Sequence, residues 1–538
     1  MARMKAGLLA LAFVIAPARA IAQTAPATDQ NHKSEKHRLD ELKAMRKQML
    51  RTMQDFDARI KKLEAEMEAK PAHAMLAVEK PAVVTPAMAK QAAENAGLEK
   101  PTAEKPVAVA DNASEQLKVS PYGGISMPDR YPPPPPGETD TWGKYQPGRG
   151  FVAVRSPDGE LAFSIISYVR YLNQLNLSPT YTDAFGRKFT VARRQDVLLN
   201  KINFSAKGWL FDPNFSYRIW VWTQNPAMGD PAQVVVAGHM GYHFADLFNL
   251  YGGVAPLPTT RSTNWTYPNW LKMDNRTIAD EFFRGSYTFG FWADGNLTDN
   301  LQYRAMIANN LSALGIDAAQ LSGRFSTYSI ALWWMPTTGE FGPGIGFGDY
   351  AYHKDLATLF GIHYTQSPEN AQEQPNVNTF ENSQIRLSDG TLVFSPNAFN
   401  NGTNIYDADY KMADANAGFK YRGFSLEGEY YARWVGNFNT NGPLPVNHLF
   451  DQGFQIQASA MLIPKQLQAY TAGSKILGQY GDPWDFSVGL NWYPFSRPEV
   501  HVNTQGVYLY RSPVGGPSYP YVVGGTGWFT NTDFIITF

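Results

Sequence analysis

The last eleven residues constrain the fold more than any other stretch. Even positions carry Trp528, Thr530, Thr532, Phe534, Ile536 and Phe538, while the odd ones include Asn531 and Asp533. A two-residue alternation puts each set on its own face of one amphipathic strand. A terminal strand bearing its own carboxylate frays in water. A closed barrel in lipid has to pair its last strand with its first and turn an apolar stripe outward. An edge strand of a soluble sheet is the competing reading, and the rest of the chain decides between the two.

The same alternation recurs upstream. Phe454, Ile456, Ala458, Ala460 and Leu462 alternate with Gln455, Gln457 and Ser459; Phe486, Val488, Leu490 and Trp492 with Asp485, Ser487, Gly489 and Asn491; Leu301, Tyr303, Ala305 and Ile307 with Gln302 and Arg304. Around Gly423 a hairpin is legible, with Phe419, Tyr421, Phe424, Leu426 and Tyr430 on one face and Lys420, Arg422, Glu427 and Glu429 on the other. Charges on the inner face of a soluble sandwich would be buried without water, whereas inside a channel they stay hydrated. Alternation therefore makes Arg170, Arg218, Arg304, Lys420 and Arg422 lumen candidates, an assignment that a one-residue slip would reverse.

Residues 151–538 number 388 (538 minus 150). At roughly 22 to 25 residues per strand with its share of loop, this gives about 16 to 18 strands. The expected fold is all-β: a transmembrane antiparallel β-barrel of about 16 (16–18) strands, preceded by an N-terminal α-helical coiled-coil segment. A ring of that size implies an aqueous channel. Aromatics reach 14%, with 28 Tyr and 13 Trp, as interfacial girdles require. Mean hydropathy is −0.33, so no transmembrane helix is expected beyond the apolar start. There is no cysteine, which removes disulfides and thiolate metal sites. Basic and acidic residues balance at 47 against 48, leaving no polybasic footprint for nucleic acid.

The first 150 residues divide into three. Residues 1–22 have the form of a secretory signal peptide: Arg3 and Lys5, an apolar run from Ala6 to Ile15, then small-x-small sites ending at Ala20 or Ala22. Residues 35–68 follow heptads, with Leu39, Arg46, Met53, Ile60 and Met67 at a and Leu42, Met49, Phe56 and Leu63 at d. They predict a coiled coil of about 50 Å in the periplasm, with a lone amphipathic helix as the alternative. Residues 69–150 are a Pro/Ala-rich linker that ends beyond the unbroken run Pro132 to Pro136.

Several segments resemble the phosphate-selective porin O/P family. VARRQ at Val191 to Gln195 and SAKGWLFDPNFSYRIWVW at Ser205 to Trp222 are similar to its double-arginine strand, glycine strand, acidic turn and Tyr-Arg strand. YGGVAPLPTTRS at Tyr251 to Ser262 looks like its glycine strand with the following pore loop, and GLNWYP at Gly489 to Pro494 like a late strand. Phe534, Ile536 and Phe538 resemble the assembly signal read by the outer-membrane barrel assembly machinery. The resemblance implies a trimeric, 16-stranded channel in the outer membrane of a Gram-negative bacterium, in contact with outer-membrane lipid.

The family's arginine ladder and lysine cluster have no residue-by-residue match here, and 25 Lys and Arg stand against 30 Asp and Glu from Phe151 on. Phosphate preference is thus one option among small hydrophilic solutes and ions. The loop after Pro258 supplies pore-constriction candidates: Arg261, Lys272, Asp274, Arg276, Asp280, Glu281 and Arg284. The polar stretch from Gln366 to Asn404 is a second long loop. His239 and His243 on one strand face lie about 13 Å apart, too far for one ion. Gly342, Gly344, Gly346 and Gly348 lack the ending of a phosphate loop and read as a turn. With no Gly-x-Ser-x-Gly elbow, no cofactor and no catalytic set, the expectation is a passive porin that forms a homotrimer; the alternative is a barrel-anchored tether whose coiled coil binds the cell wall or an envelope complex.

Overall fold

The computed structural model describes residues 143–538 apart from 225–232, 265, 315, 317–319, 322–324, 343–344, 376–382 and 517–518. The signal peptide, coiled coil and nearly all of the linker lie outside the described residues.

Two short strands come first, β1 (Lys144–Gln146) and β2 (Gly150–Ser156). Then come β3 (Gly159–Asn173), a small hairpin of β4 (Thr180–Thr182) and β5 (Lys188–Thr190), β6 (Gln195–Leu210), β7 (Asp212–Gln224), β8 (Gln233–Ala245) and β9 (Phe248–Pro256). After a long connection follow β10 (Tyr287–Thr298), β11 (Leu301–Ala308), β12 (Thr327–Trp334), β13 (Ala357–Asn370), β14 (Ile405–Tyr421) and β15 (Phe424–Thr440). The last five are β16 (His448–Ile463), β17 (Leu467–Leu477), β18 (Trp484–Trp492), β19 (Val500–Tyr510) and β20 (Gly527–Thr537). Each of β3 and β6 to β20 pairs antiparallel with its neighbour, and β20 returns to β3, so sixteen strands close a ring.

The seam is completed by two stretches far apart in sequence. Strand β3 pairs with β20 from Ile166 to Asn173 and with β2 from Gly159 to Phe163. Between them Phe538 exchanges backbone hydrogen bonds with Ile165, at 2.8 and 2.9 Å, and its ring meets Phe151 edge-on. No backbone edge is left to lipid along this line.

Alternation sorts the side chains as period two requires. On β20, Phe534 and Ile536 are 56% and 49% exposed outward, while Asn531 and Asp533 are fully buried inside. Outward Phe454, Ile456 and Leu462 on β16, and Phe486, Val488, Leu490 and Trp492 on β18, continue an apolar belt around the ring. A surface of this extent is stable against hydrocarbon and not against water.

Connections differ by end. At one end they are short, such as 246–247, 299–300 and 464–466. The turn from β14 to β15 is Arg422-Gly423, with φ of 48° and 85°, the paired left-handed geometry of a tight hairpin. The other end carries the long connections 174–194, 257–286, 371–404 and 511–526. The polar loop expected from Gln366 is shorter, because Gln366 to Asn370 still belong to β13 and pair with β14. Likewise Val191 to Arg194 precede β6; Arg193 instead donates to the carbonyls of Leu175 and Leu177. One connection breaks the rule: 335–356, between β12 and β13, is long although it lies at the short-turn end.

Candidate functional site: the segments folded into the barrel

Segment 257–286 leaves β9, crosses the interior and returns to β10, buried along almost its whole length. A turn of 3-10 helix at Arg261–Thr263 and the short helix α1 (Ile278–Phe283) shape it. Thr277 caps α1, and Asp280 and Glu281 in its first turn suit the helix dipole. It is anchored to walls far around the ring. Thr277 donates to Gln455 on β16 at 2.8 Å, the Ala279 amide to Ser474 on β17 at 3.0 Å, and Asn491 on β18 to the Leu271 carbonyl at 3.0 Å.

All seven constriction candidates lie on this segment and are buried. Arg261 reaches Glu427 on β15 at 3.0 Å, while its own backbone amide donates to Glu429 at 2.7 Å. Lys272 faces Asp485 on β18 at 3.7 Å; burial lowers the proton affinity of its ammonium, and Asp485 offsets part of that. Asp274 accepts from Lys201 on β6 at 2.8 Å and from the Tyr168 hydroxyl on β3. Arg276, Glu281 and Arg284 form a local chain, with Arg276 to Glu281 at 3.4 Å and Arg284 to Glu281 at 2.5 Å. Asp280 accepts from Thr260 and Ser262 at 2.9 and 3.0 Å. Burial first, then the nearby Glu429 carboxylate, push Asp280 up to about 7 against the pull of Arg276.

Of the five lumen candidates, Arg170, Arg218, Arg304 and Lys420 point inward and are buried. Arg422 does not: it is a turn residue, exposed at the short-turn end. Tyr421 pairs with Phe424, so the turn has two residues and Arg422 never joins a face.

Sequence alternation left two features unread. The first is a division of charge between walls. Lys207 and Arg218 stand directly opposite one another on β6 and β7, with His239 opposite Arg218 on β8, all buried. Across the interior, Asp414, Glu427, Glu429, Asp451 and Asp485 line β14 to β18, with Lys420 and Arg433 among them. Like charges opposed on neighbouring strands are destabilising, so the pair Lys207 and Arg218 is held at a cost. The cross-strand register is the signal that finds it. The second feature is segment 335–356, which folds inward from the short-turn end until the Phe347 amide donates to the Asn269 carbonyl at 2.7 Å.

The interior is therefore fuller than a ring of sixteen strands alone implies. Arg170, Arg261, Arg304 and Arg433 are among the largest fully buried side chains. An inner apolar cluster joins Phe282 and Phe283 of α1 to Tyr410 and Tyr431 of the wall. Where Arg261 meets Glu427 and Glu429, the remaining cavity is about 10 Å³, room for one water.

No family profile and no curated protein matches the sequence. Among solved structures, the chain is similar to an anion-selective porin from Comamonas acidovorans, at 9% identity over 71% of this chain and 100% of that one, with a TM-score of 0.43. It is also similar to the outer-membrane channel DcaP of Acinetobacter baumannii, at 6% identity over 70% and 98%, with a TM-score of 0.42. For the outer-membrane expressed OmpT of Vibrio cholerae the values are 9%, 71%, 99% and 0.40. Likeness at these values concerns the course of the backbone.

Proposed function

We propose that this chain is an outer-membrane porin through which small hydrophilic solutes or ions diffuse passively, with segment 257–286 as its constriction. One observation carries the reading: a closed ring with an apolar outer face and a polar, charged inner face is crossed by a segment bearing seven charged side chains. Nothing about an anchor alone calls for charge inside the ring, where each ion forgoes water. In a channel the same groups set which solutes pass. The pair Lys207 and Arg218 favours anions, phosphate among them, on one wall; the mainly acidic wall opposite favours cations. Among the described residues the inward segments fill much of the ring, and in this proposal passage widens when they shift. A trimer in the membrane, and insertion by the barrel assembly machinery through Phe534, Ile536 and Phe538, belong to the same proposal.

A second reading, the barrel-anchored tether, draws support from the filled interior. In this reading a coiled coil over residues 35–68 links the barrel to the cell wall or an envelope complex in the periplasm.

The refolded mature protein in planar bilayers tests the first reading. Stepwise openings, in groups of three for a trimer, are expected, and the zero-current potential under a salt gradient gives the charge preference. Silence from heat-modifiable, folded protein, even after 257–286 is shortened, would overturn the porin. Deleting Glu35 to Lys70 tests the tether: unchanged conductance with a weakened envelope supports it.

A further inference from the structure

We infer that segment 335–356 is a second gate, closing the barrel from the short-turn end by docking against the tip of 257–286. The inference rests on the porin reading and adds its regulation from the opposite face. A connection at this end needs two or three residues, as 299–300 and 464–466 illustrate; this one spends the excess inside the ring.

Its contacts are those of a docked element. Lys420 on β14 donates from its ammonium to the carbonyls of Phe341 and Gly346, at 2.7 and 2.5 Å. Arg261, from the other segment, donates to the Gly346 carbonyl at 3.3 Å, and its guanidinium lies over the Phe347 ring at 4.6 Å. The Phe347 amide completes the junction on the Asn269 carbonyl. Arg261 thus touches the second gate on one side and Glu427 of the wall on the other. Two cations make three bonds to main-chain carbonyls, which hold without fixing side-chain identity and can be exchanged for water when the segment withdraws.

At the base the segment is clipped. Asp349 accepts from the Gly423 amide at 2.7 Å, and the Arg422 amide donates to the His353 carbonyl at 2.8 Å. The hairpin tip of β14 and β15 is therefore the hinge support, and the part that moves is the one carrying Phe341, Gly346 and Phe347.

The chain has no cysteine, which allows a clean test. The pair Asn269→Cys with Phe347→Cys, full length and folded, is recorded in bilayers under oxidant and then under reductant. Conductance should fall at least tenfold on oxidation and return on reduction. A second variant, with 338–352 replaced by a three-residue turn, should conduct at least threefold more than the parent at low voltage. Conductance that ignores the redox cycle of a verified cross-link, or a shortened variant no more open than the parent while a variant shortened in 257–286 does open, overturns the second gate and leaves the porin standing. Silence from both shortened variants removes the porin and the gate together.

Discussion

Arg170 grips Asp533 across the seam from inside the ring, Nε to Oδ1 at 2.6 Å and Nη2 to Oδ2 at 3.4 Å. The two residues are direct partners on β3 and β20, though 363 positions apart in sequence. The same Nη2 donates to the Met273 carbonyl at 3.2 Å, so one guanidinium ties the closing strand to the constriction segment.

Replacing Asp533 by Asn leaves Arg170 buried without its counter-charge, which costs about 3–5 kcal/mol. Denaturant unfolding of the refolded barrel should register that loss. The double change Arg170→Met with Asp533→Leu should restore most of it. A single variant within about 0.5 kcal/mol of the parent, the range of an ordinary surface change, would mean that the pair is not isolated from water.

On the outer face of the same strand, Phe534→Lys should destabilise the barrel in lipid by about 2–4 kcal/mol if it lies near the midplane of the bilayer. The comparison is with the same substitution in detergent, where a flexible belt lets the ammonium reach water. Equal effects in both media would argue against lipid at this face.

The ring of His353 sits between Asp349 at 2.5 Å and Glu340 at 3.0 Å, at the base of the inward 335–356 segment. Burial alone lowers its proton affinity, but the two carboxylates outweigh burial and lift it from 6.5 to about 9. Lys420, the other charge facing the group, acts on Glu340. A histidine raised on folding stabilises fully below its unfolded value and loses that contribution as pH climbs through the folded one. Protection against hydrogen exchange in 335–356, measured relative to the intrinsic exchange rate at each pH, should therefore fall between pH 6.5 and 9. In His353→Gln it should already be low at pH 6 and show no step. A step of equal size in the variant would assign the titration elsewhere.

Arg218 faces Lys207 on one side and His239 on the other. Arg218→Glu should move the zero-current potential toward cation preference, because the nearest wall charge changes sign. Arg422→Glu, in the exposed turn, should move it much less. If Arg218→Glu leaves the potential unmoved in a conducting protein, ions do not travel along β6 to β8.

The ring was legible because lipid outside and polar groups inside impose period two on every strand, as Phe486 to Trp492 and Phe454 to Leu462 illustrate. The crossing of 257–286 was legible in part, since seven charges among aromatics suit a segment surrounded by both polar and apolar groups. Pairings such as Lys201 with Asp274 join distant stretches, and no local pattern announces them. The Arg422 turn hid for a smaller reason: Gly423 marks the hairpin but leaves its length open by one residue. Segment 335–356 hid for the opposite reason. Its glycines, of which Gly342 and Gly348 take φ of 83° and 75°, describe a turn equally well whether it projects into solvent or folds back inside.

The shared edge of β3 has a consequence for how the protein is made. Residues 159–163 pair with β2, and 166–173 pair with β20. A barrel that lacks either partner leaves bare amides and carbonyls at one level of the membrane, where no water repairs them. Assembly of this one strand is thereby a two-part event: the edge of β3 is sealed when two stretches about 370 positions apart, Ser156 to Gly527, have both arrived, and neither alone finishes the ring.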